Sequence, residues 1–167
     1  EKIHNEIRGD NCFNKSVLGI KEVIAQRGKK KLPIITLNCT ISDYNYEHLE
    51  EVVEIGENLG VDIVALQHPC FLRSETISRH HKVFKGVFGE SDSLVDGYEN
   101  DSTEKMNNEK LYQILSRIKN RKKKTGLRLY QDFDREQMKK YYLTEMAVNK
   151  RCVNPWFGVT IKPSGDI

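Results

Sequence analysis

The sequence contains no long apolar run. Its mean hydropathy is −0.61 and 31% of its residues are charged, whereas a membrane-spanning helix needs about 20 consecutive apolar residues. The first residues, Glu1 to His4, also lack the apolar segment of a secretion signal. We therefore expect no membrane span and a cytoplasmic location.

Closely spaced cysteines are absent as well. The four cysteines lie far apart, and none forms a Cys-x-x-Cys pair with another. In a chain without a secretion signal, this spacing predicts reduced thiols and not a disulfide framework. They are Cys12, Cys39, Cys70 and Cys152.

The chain lacks a dominant charge and a phosphate-binding loop. Lys and Arg number 27 against 24 Asp and Glu, a net charge of +3, so the average electrostatic field is weak. The basic block at residues 121–124 lies at the end of a predicted helix, whose dipole it complements, and no nucleic-acid motif accompanies it. No glycine-rich loop follows a predicted strand. We expect neither nucleic-acid binding nor an ordinary nucleotide-binding open sheet.

What the sequence does contain is an alternation of helical and strand patterns. Asn45 is a predicted helix N-cap, Gly60 a predicted helix end, and Asp134 with Gln137 a capping-box pair. The predicted helices are 13–28, 45–60, 111–125 and 134–148, and the predicted strands are 32–41, 61–67 and 127–133. This order predicts an α/β fold with a parallel sheet and right-handed crossovers. Strands this apolar favour a sheet that is covered by helices. Both a barrel and an open doubly wound sheet are compatible with this pattern.

One connection is unusually long. Residues 71–107 separate the second strand from the next predicted helix, and only 74–84 in this stretch has a helical pattern. Long connections in compact domains are usually functional lids or disordered insertions. This one leaves the carboxyl end of a strand, where parallel α/β proteins place active sites. A substrate-covering role and a family-specific ornament both remain open.

Polar side chains alternate along the predicted strands. Thr36, Asn38 and Thr40 share one face of the first strand, and Gln67 ends the corresponding face of the second. Buried polar groups need partners, because each unpaired one costs about 1–3 kcal/mol. The polar row indicates either a barrel lumen that holds a polar ligand or local hydrogen bonding within the core.

Several segments, in order, resemble the radical S-adenosylmethionine (radical SAM) superfamily. Residues 3–9 (IHNEIRG) are similar to the segment after that family's third barrel strand. Residues 37–49 resemble its fourth strand and following helix, and 60–67 (GVDIVALQ) its fifth strand. Residues 152–166, which include CVNPW and VTIKPSGD, resemble the opening of a SPASM-type extension. The similarity covers nearly the whole chain apart from the 71–107 insertion.

The resemblance implies a partial (β/α)6 TIM-like barrel with about three to four parallel βα units. Residues 1–150 would form the later part of the barrel, and 151–167 would begin the truncated extension. Enzymes of this family reductively cleave S-adenosylmethionine on a [4Fe–4S] cluster and use the resulting 5′-deoxyadenosyl radical to abstract a substrate hydrogen. An electron donor such as flavodoxin or ferredoxin would serve the parent enzyme, whose peptide or small-molecule substrate is unknown.

The chain departs from the family pattern in three respects. It contains neither the Cys-x3-Cys-x2-Cys motif nor the Gly-Gly-Glu-like segment, and it ends shortly after Gly165, before a further auxiliary-cluster cysteine. We therefore expect a fragment of an iron–sulfur enzyme that binds neither cluster nor cofactor and is inactive alone. Its exposed sheet edge would favour homo-oligomers.

The resemblance also assigns candidate residues. Asn38, Thr40 and Gln67 match cofactor-side positions of the barrel. Arg8 matches a family arginine that contacts substrate or anchors a loop, and Cys152 is a candidate auxiliary-cluster ligand in the parent. His68 ends the second predicted strand, so it is a further candidate for a substrate contact or loop anchor. The alternative function is a non-enzymatic α/β scaffold or partner-binding module.

Overall fold

The computed structural model describes residues 1–89, 93, 95–100 and 102–144. Helices precede and follow each described strand, as the sequence predicted. The helices are α1 (Lys2–Arg8), α2 (Cys12–Arg27), α3 (Leu49–Leu59), α4 (Ser74–Phe88), α5 (Asn108–Asn120) and α6 (Arg135–Thr144). The strands are β1 (Thr36–Thr40), β2 (Ile63–Gln67) and β3 (Gly126–Tyr130), and short 3-10 turns lie at Tyr46–His48, Asp96–Tyr98 and Ser102–Lys105. Among the described residues, no helix is long and apolar enough to cross a bilayer.

The three strands form one parallel sheet in the order β1-β2-β3. Because each crossover moves to the next strand in the same direction, right-handed connections bring α3 and α5 to the same face of the sheet. The helices contact one another accordingly: α2 packs on α3, α3 on α5, and α5 on α6. The helices α2, α3, α5 and α6 thus form one layer on one face of the sheet.

The core lies between this helical layer and the sheet. Val64 and Leu66 of β2 are almost fully buried, and the alternate residues of β1 and β3 on the same face are half-buried. The opposite face of β1 is exposed, which corrects the expectation that strands this apolar would be covered on both faces. The buried helical residues that pack on the sheet are Leu49, Val53, Leu111, Ile114, Leu115 and Ile118.

Gly56 brings α3 close to the sheet. A methyl group at this position would overlap Val64 Cγ2 and lie 3.3 Å from Val61 Cγ2. The glycine therefore permits a helix–strand approach that no larger residue allows.

The ends of the elements follow local sequence signals, with one correction. Gly60 ends α3 at a φ of 78°, and Asp134 and Gln137 form the predicted reciprocal capping box, since each backbone N–H donates to the other side chain at 3.1 and 2.8 Å. Asn45 is not a side-chain N-cap. Its Nδ2 donates to the carbonyl of Thr40 and its Oδ1 accepts from the N–H of Ser42, both at 2.9 Å, so it stabilises the end of β1 instead.

Strand lengths differ from the sequence prediction. The first predicted strand, 32–41, contracts to Thr36–Thr40, since Pro33 has no N–H for a ladder and Leu32 and Ile34 are exposed. At the start of β2, the Asp62 carboxylate accepts from the N–H of Ile35 at 2.7 Å and from the Arg27 guanidinium. These two donors, in that order, lower the pKa of Asp62. This contact joins α2, β1 and β2 at the amino end of the sheet.

The described part of the 71–107 insertion is more structured than predicted. Its helix, α4, continues to Phe88 instead of ending near residue 84. Leu72 bridges Glu99, and its backbone exchanges hydrogen bonds of 2.8 and 3.1 Å with Tyr98 and Asn100. Met106 is buried in the core. The second half of the insertion therefore returns to its starting point beside β2.

Candidate functional site

The sheet face opposite the helices is the candidate site, and we term it the open face. Side-chain alternation and the strand register assign nine residues to it. They are Thr36, Asn38 and Thr40 of β1, Ile63, Ala65 and Gln67 of β2, and Gly126, Arg128 and Tyr130 of β3.

The structure brings together the three residues that the sequence assigned to a cofactor side. Asn38, Thr40 and Gln67 are all exposed on the open face. Thr40 and Gln67 are in-register neighbours at the carboxyl ends of their strands, and Asn38 is in register with Ala65 one row below. The predicted shared face is therefore confirmed, while their contact with a cofactor stays a prediction.

Sequence reasoning missed two residues of this face. Arg128 lies in register with Ala65, and Tyr130 with Gln67. The same alternation that selected Asn38 and Thr40 would have found them, because residues 126, 128 and 130 share a parity in the third strand. Arg128 is the only charged side chain among the nine residues.

The polar groups of the open face are available for a ligand. The side chains of Asn38, Gln67 and Arg128 form no hydrogen bond or ion pair with any residue in the described ranges, and all three are exposed. Three arginines outside this face, Arg27, Arg117 and Arg121, each pair with a carboxylate. Arg128 has no such partner among the described residues, so its guanidinium can bind an anion.

His68 occupies a buried aromatic cluster beyond the end of β2. Its side chain is 5% exposed, and its Nδ1 is joined to the Tyr142 hydroxyl by a hydrogen bond of 2.7 Å. The Phe133 ring lies 4.8 Å away between centroids. Burial lowers the pKa of His68 to about 4, against a weaker opposing effect of Asp132. A neutral, enclosed imidazole fits the role of loop anchor better than that of a substrate contact.

Two tyrosines of α6 complete this anchor. The Tyr141 hydroxyl donates to the carbonyl of Pro69 at 2.5 Å, and Arg73 Nη2 donates to the carbonyl of Tyr142 at 2.7 Å. Burial raises the pKa of Tyr141 to about 12 and raises that of Tyr142 further. The phenols therefore remain protonated, and α6 is fixed to the segment that leaves β2.

The described cysteines do not form a metal site. Cys12, Cys39 and Cys70 are free thiols, and the described part of the chain contains no group of three His, Cys, Asp or Glu side chains that could hold a metal. Burial raises the pKa of Cys39 to about 11, which favours the thiol over the thiolate that metals require. These residues do not fit a [4Fe–4S] cluster. Cys152 lies outside the described residues.

Arg8 is not one of the residues of the open face. It is exposed in the last turn of α1, a helix that packs on α2. Its side chain pairs with no carboxylate among the described residues. The structure does not bring Arg8 to the three predicted cofactor-side residues.

A separate cavity of about 240 Å³ lies beside β3 and α5, on the helical side. Lys119 and Asp132 line it and already pair with each other, with Nζ 2.8 Å from both carboxylate oxygens. Its main charges are therefore satisfied internally, unlike the polar groups of the open face.

The chain matches no protein-family model, and comparisons with curated proteins and with solved structures also found no match. The open face and the sequence motifs are thus the observations from which a function is inferred.

Proposed function

We propose that the chain forms the later part of a radical SAM barrel and that the open face is a sector of its lumen. One observation carries this proposal: three parallel strands follow in sequential order, with the layer of α2, α3, α5 and α6 on one face and polar side chains on the other. A βα barrel is wound in this way, with helices outside and the inner face turned to a ligand at the carboxyl ends of the strands.

The strand order fits a barrel and also one half of a doubly wound sheet. A doubly wound sheet reverses its strand order at a switch point and places helices on both faces, and its ligand binds at that reversal. The order β1-β2-β3 contains no reversal. In the barrel reading, the three strands correspond to the fourth, fifth and sixth strands of the family.

The open face suits the organic part of S-adenosylmethionine. Asn38, Thr40 and Gln67 offer neutral amide and hydroxyl groups near the carboxyl ends of β1 and β2, which can orient ribose hydroxyls or the methionine portion. When bound, the cluster supplies the reductive cleavage that generates a radical. Its cysteine ligands would come from an earlier segment of a longer polypeptide, because the described cysteines do not fit the cluster.

The proposal is tested on the product of the complete reading frame that encodes this chain. Purified anaerobically and reduced, it should convert S-adenosylmethionine to 5′-deoxyadenosine. Asn38→Ala should slow that conversion by about two- to tenfold, the loss of one neutral hydrogen bond. Asn58→Ala, on the exposed surface of α3, is the matched control and should leave it unchanged. A product without an iron–sulfur cluster that forms no 5′-deoxyadenosine would refute the proposal.

The sheet edges favour a second candidate function, a non-enzymatic partner-binding scaffold. Within the described residues, β1 and β3 each pair with β2 alone, so the outer backbone groups of both strands can pair with another chain. Such pairing would make the 167-residue chain associate with itself. Sedimentation at increasing concentration tests this candidate, and a monomer throughout would contradict it.

A further inference from the structure

The centre of the open face is a row of two polar side chains with an alanine between them. Ala65 is in register with Asn38 on one side and with Arg128 on the other. Ala65 is 0% exposed, so its methyl group is enclosed. Larger open-face residues surround it: Asn38 and Arg128 across the strands, and Ile63 and Gln67 along β2.

The spacing of the two polar side chains of this row suits a ligand that contacts both of them. Adjacent strands lie about 4.8 Å apart, so the backbones of Asn38 and Arg128 are roughly 10 Å apart across β2. The side chains of both residues extend from the same face above Ala65. A small ligand group held between them, above the enclosed alanine, can therefore contact the amide on one side and the guanidinium on the other.

The charge of the row selects an anion. Arg128 is unpaired among the described residues, and the other eight residues of the open face include no acid. Guanidinium groups bind planar oxyanions through two parallel N–H donors. We propose that Arg128 is the specificity-determining residue of the open face and that it binds a ligand carboxylate, with Asn38 as a second donor.

A carboxylate fits this row better than a phosphate. One guanidinium charge and one neutral amide match a monoanion with two oxygens. A phosphate group carries up to two negative charges and usually binds where several cations or backbone N–H groups converge. The row contains one cation, and none of its members begins a helix.

The inference rests on the proposed function for the identity of the ligand. Within the proposed lumen, the amide of Asn38 can contact both ligands, because it donates through its nitrogen and accepts through its oxygen. The carboxylate at Arg128 is assigned to the second ligand, the substrate. The substrate class is then a carboxylic acid, with the amino-acid or peptide carboxylates as its common members.

The test is an NMR titration of the ¹⁵N-labelled 167-residue chain at constant ionic strength. The probes are N-acetylglycine, its neutral amide N-acetylglycinamide, and inorganic phosphate. N-acetylglycine should shift the backbone signals of Asn38, Ala65 and Arg128 and the Arg128 side-chain N–H. Arg128→Gln should weaken this binding at least about fivefold through the lost charge-assisted hydrogen bonds. Arg79→Gln, which removes an exposed arginine of α4, should leave it unchanged.

Several outcomes would overturn the inference. Equal chemical-shift changes with the neutral amide, or an unchanged affinity of Arg128→Gln for N-acetylglycine, would show that Arg128 does not recognise a carboxylate. Tighter binding of phosphate than of N-acetylglycine would refute the choice of anion. Carboxylate binding without 5′-deoxyadenosine formation by the complete product would refute the proposed function alone, whereas turnover unaffected by Arg128→Gln would refute the inference alone.

Discussion

The substitution Gly56→Ala tests the packing of the helical layer on the sheet. A glycine-to-alanine change inside an exposed helix stabilises it by roughly 0.5–1 kcal/mol. At position 56, however, the new methyl group would overlap Val64 and crowd Val61, and overpacking typically costs about 1–3 kcal/mol. We expect a net destabilisation of about 0.5–2 kcal/mol, which corresponds to a fall in Tm of a few degrees at about 2–4 °C per kcal/mol.

The matched control is Gly19→Ala in α2, where a methyl group meets nothing within 4 Å. It should raise the free energy of unfolding by roughly 0.5–1 kcal/mol. The gain in helix propensity is the same in both variants. The difference between their free energies of unfolding, measured by urea denaturation, is therefore the packing penalty at position 56, about 1–3 kcal/mol. Equal stabilities of the two variants would refute the described contact between α3 and β2.

Three further predictions concern the buried aromatic cluster and a helix cap. The pKa of His68 is lowered from 6.5 to about 4, so the neutral imidazole stabilises the fold fully above pH 6.5 and this stabilisation is lost toward pH 4. The free energy of unfolding should fall by about 2 kcal/mol between pH 7.5 and 5 for this reason. His68→Gln should flatten this pH dependence, and His48→Gln should keep it. Tyr142→Phe should cost about 1–3 kcal/mol by removing the partner of Nδ1, and an unchanged urea midpoint would contradict that bond. Asp134→Ala should cost about 1 kcal/mol by removing the cap of α6, as chemical denaturation would show.

Much of the fold can be predicted from the sequence, because the ends of its helices are determined by nearby residues. The helix end at Gly60 and the capping box at Asp134 depend on residues within a few positions of each other. The strand limits are less readable, because they depend on which backbone groups find partners in another strand. The role of Asn45 shows this, since its amide binds the end of β1 and does not cap the helix that follows.

The candidate site was predicted in part, for the same reason. Alternation within β1 selected Asn38 and Thr40, but their relation to Arg128 depends on a strand more than eighty residues later in the sequence. The role of His68 could not be predicted from its local sequence. A histidine at a strand end has the same local pattern in a ligand site and in a loop anchor, and only the contacts with the distant tyrosines of α6 identify the anchor.

The proposed radical SAM barrel is tested most directly by the sequence of the complete reading frame that encodes this chain. We expect a Cys-x3-Cys-x2-Cys motif upstream of residue 1, after the first strand of the proposed barrel. A complete reading frame without this motif would contradict the account and leave the scaffold as the better description of the open face.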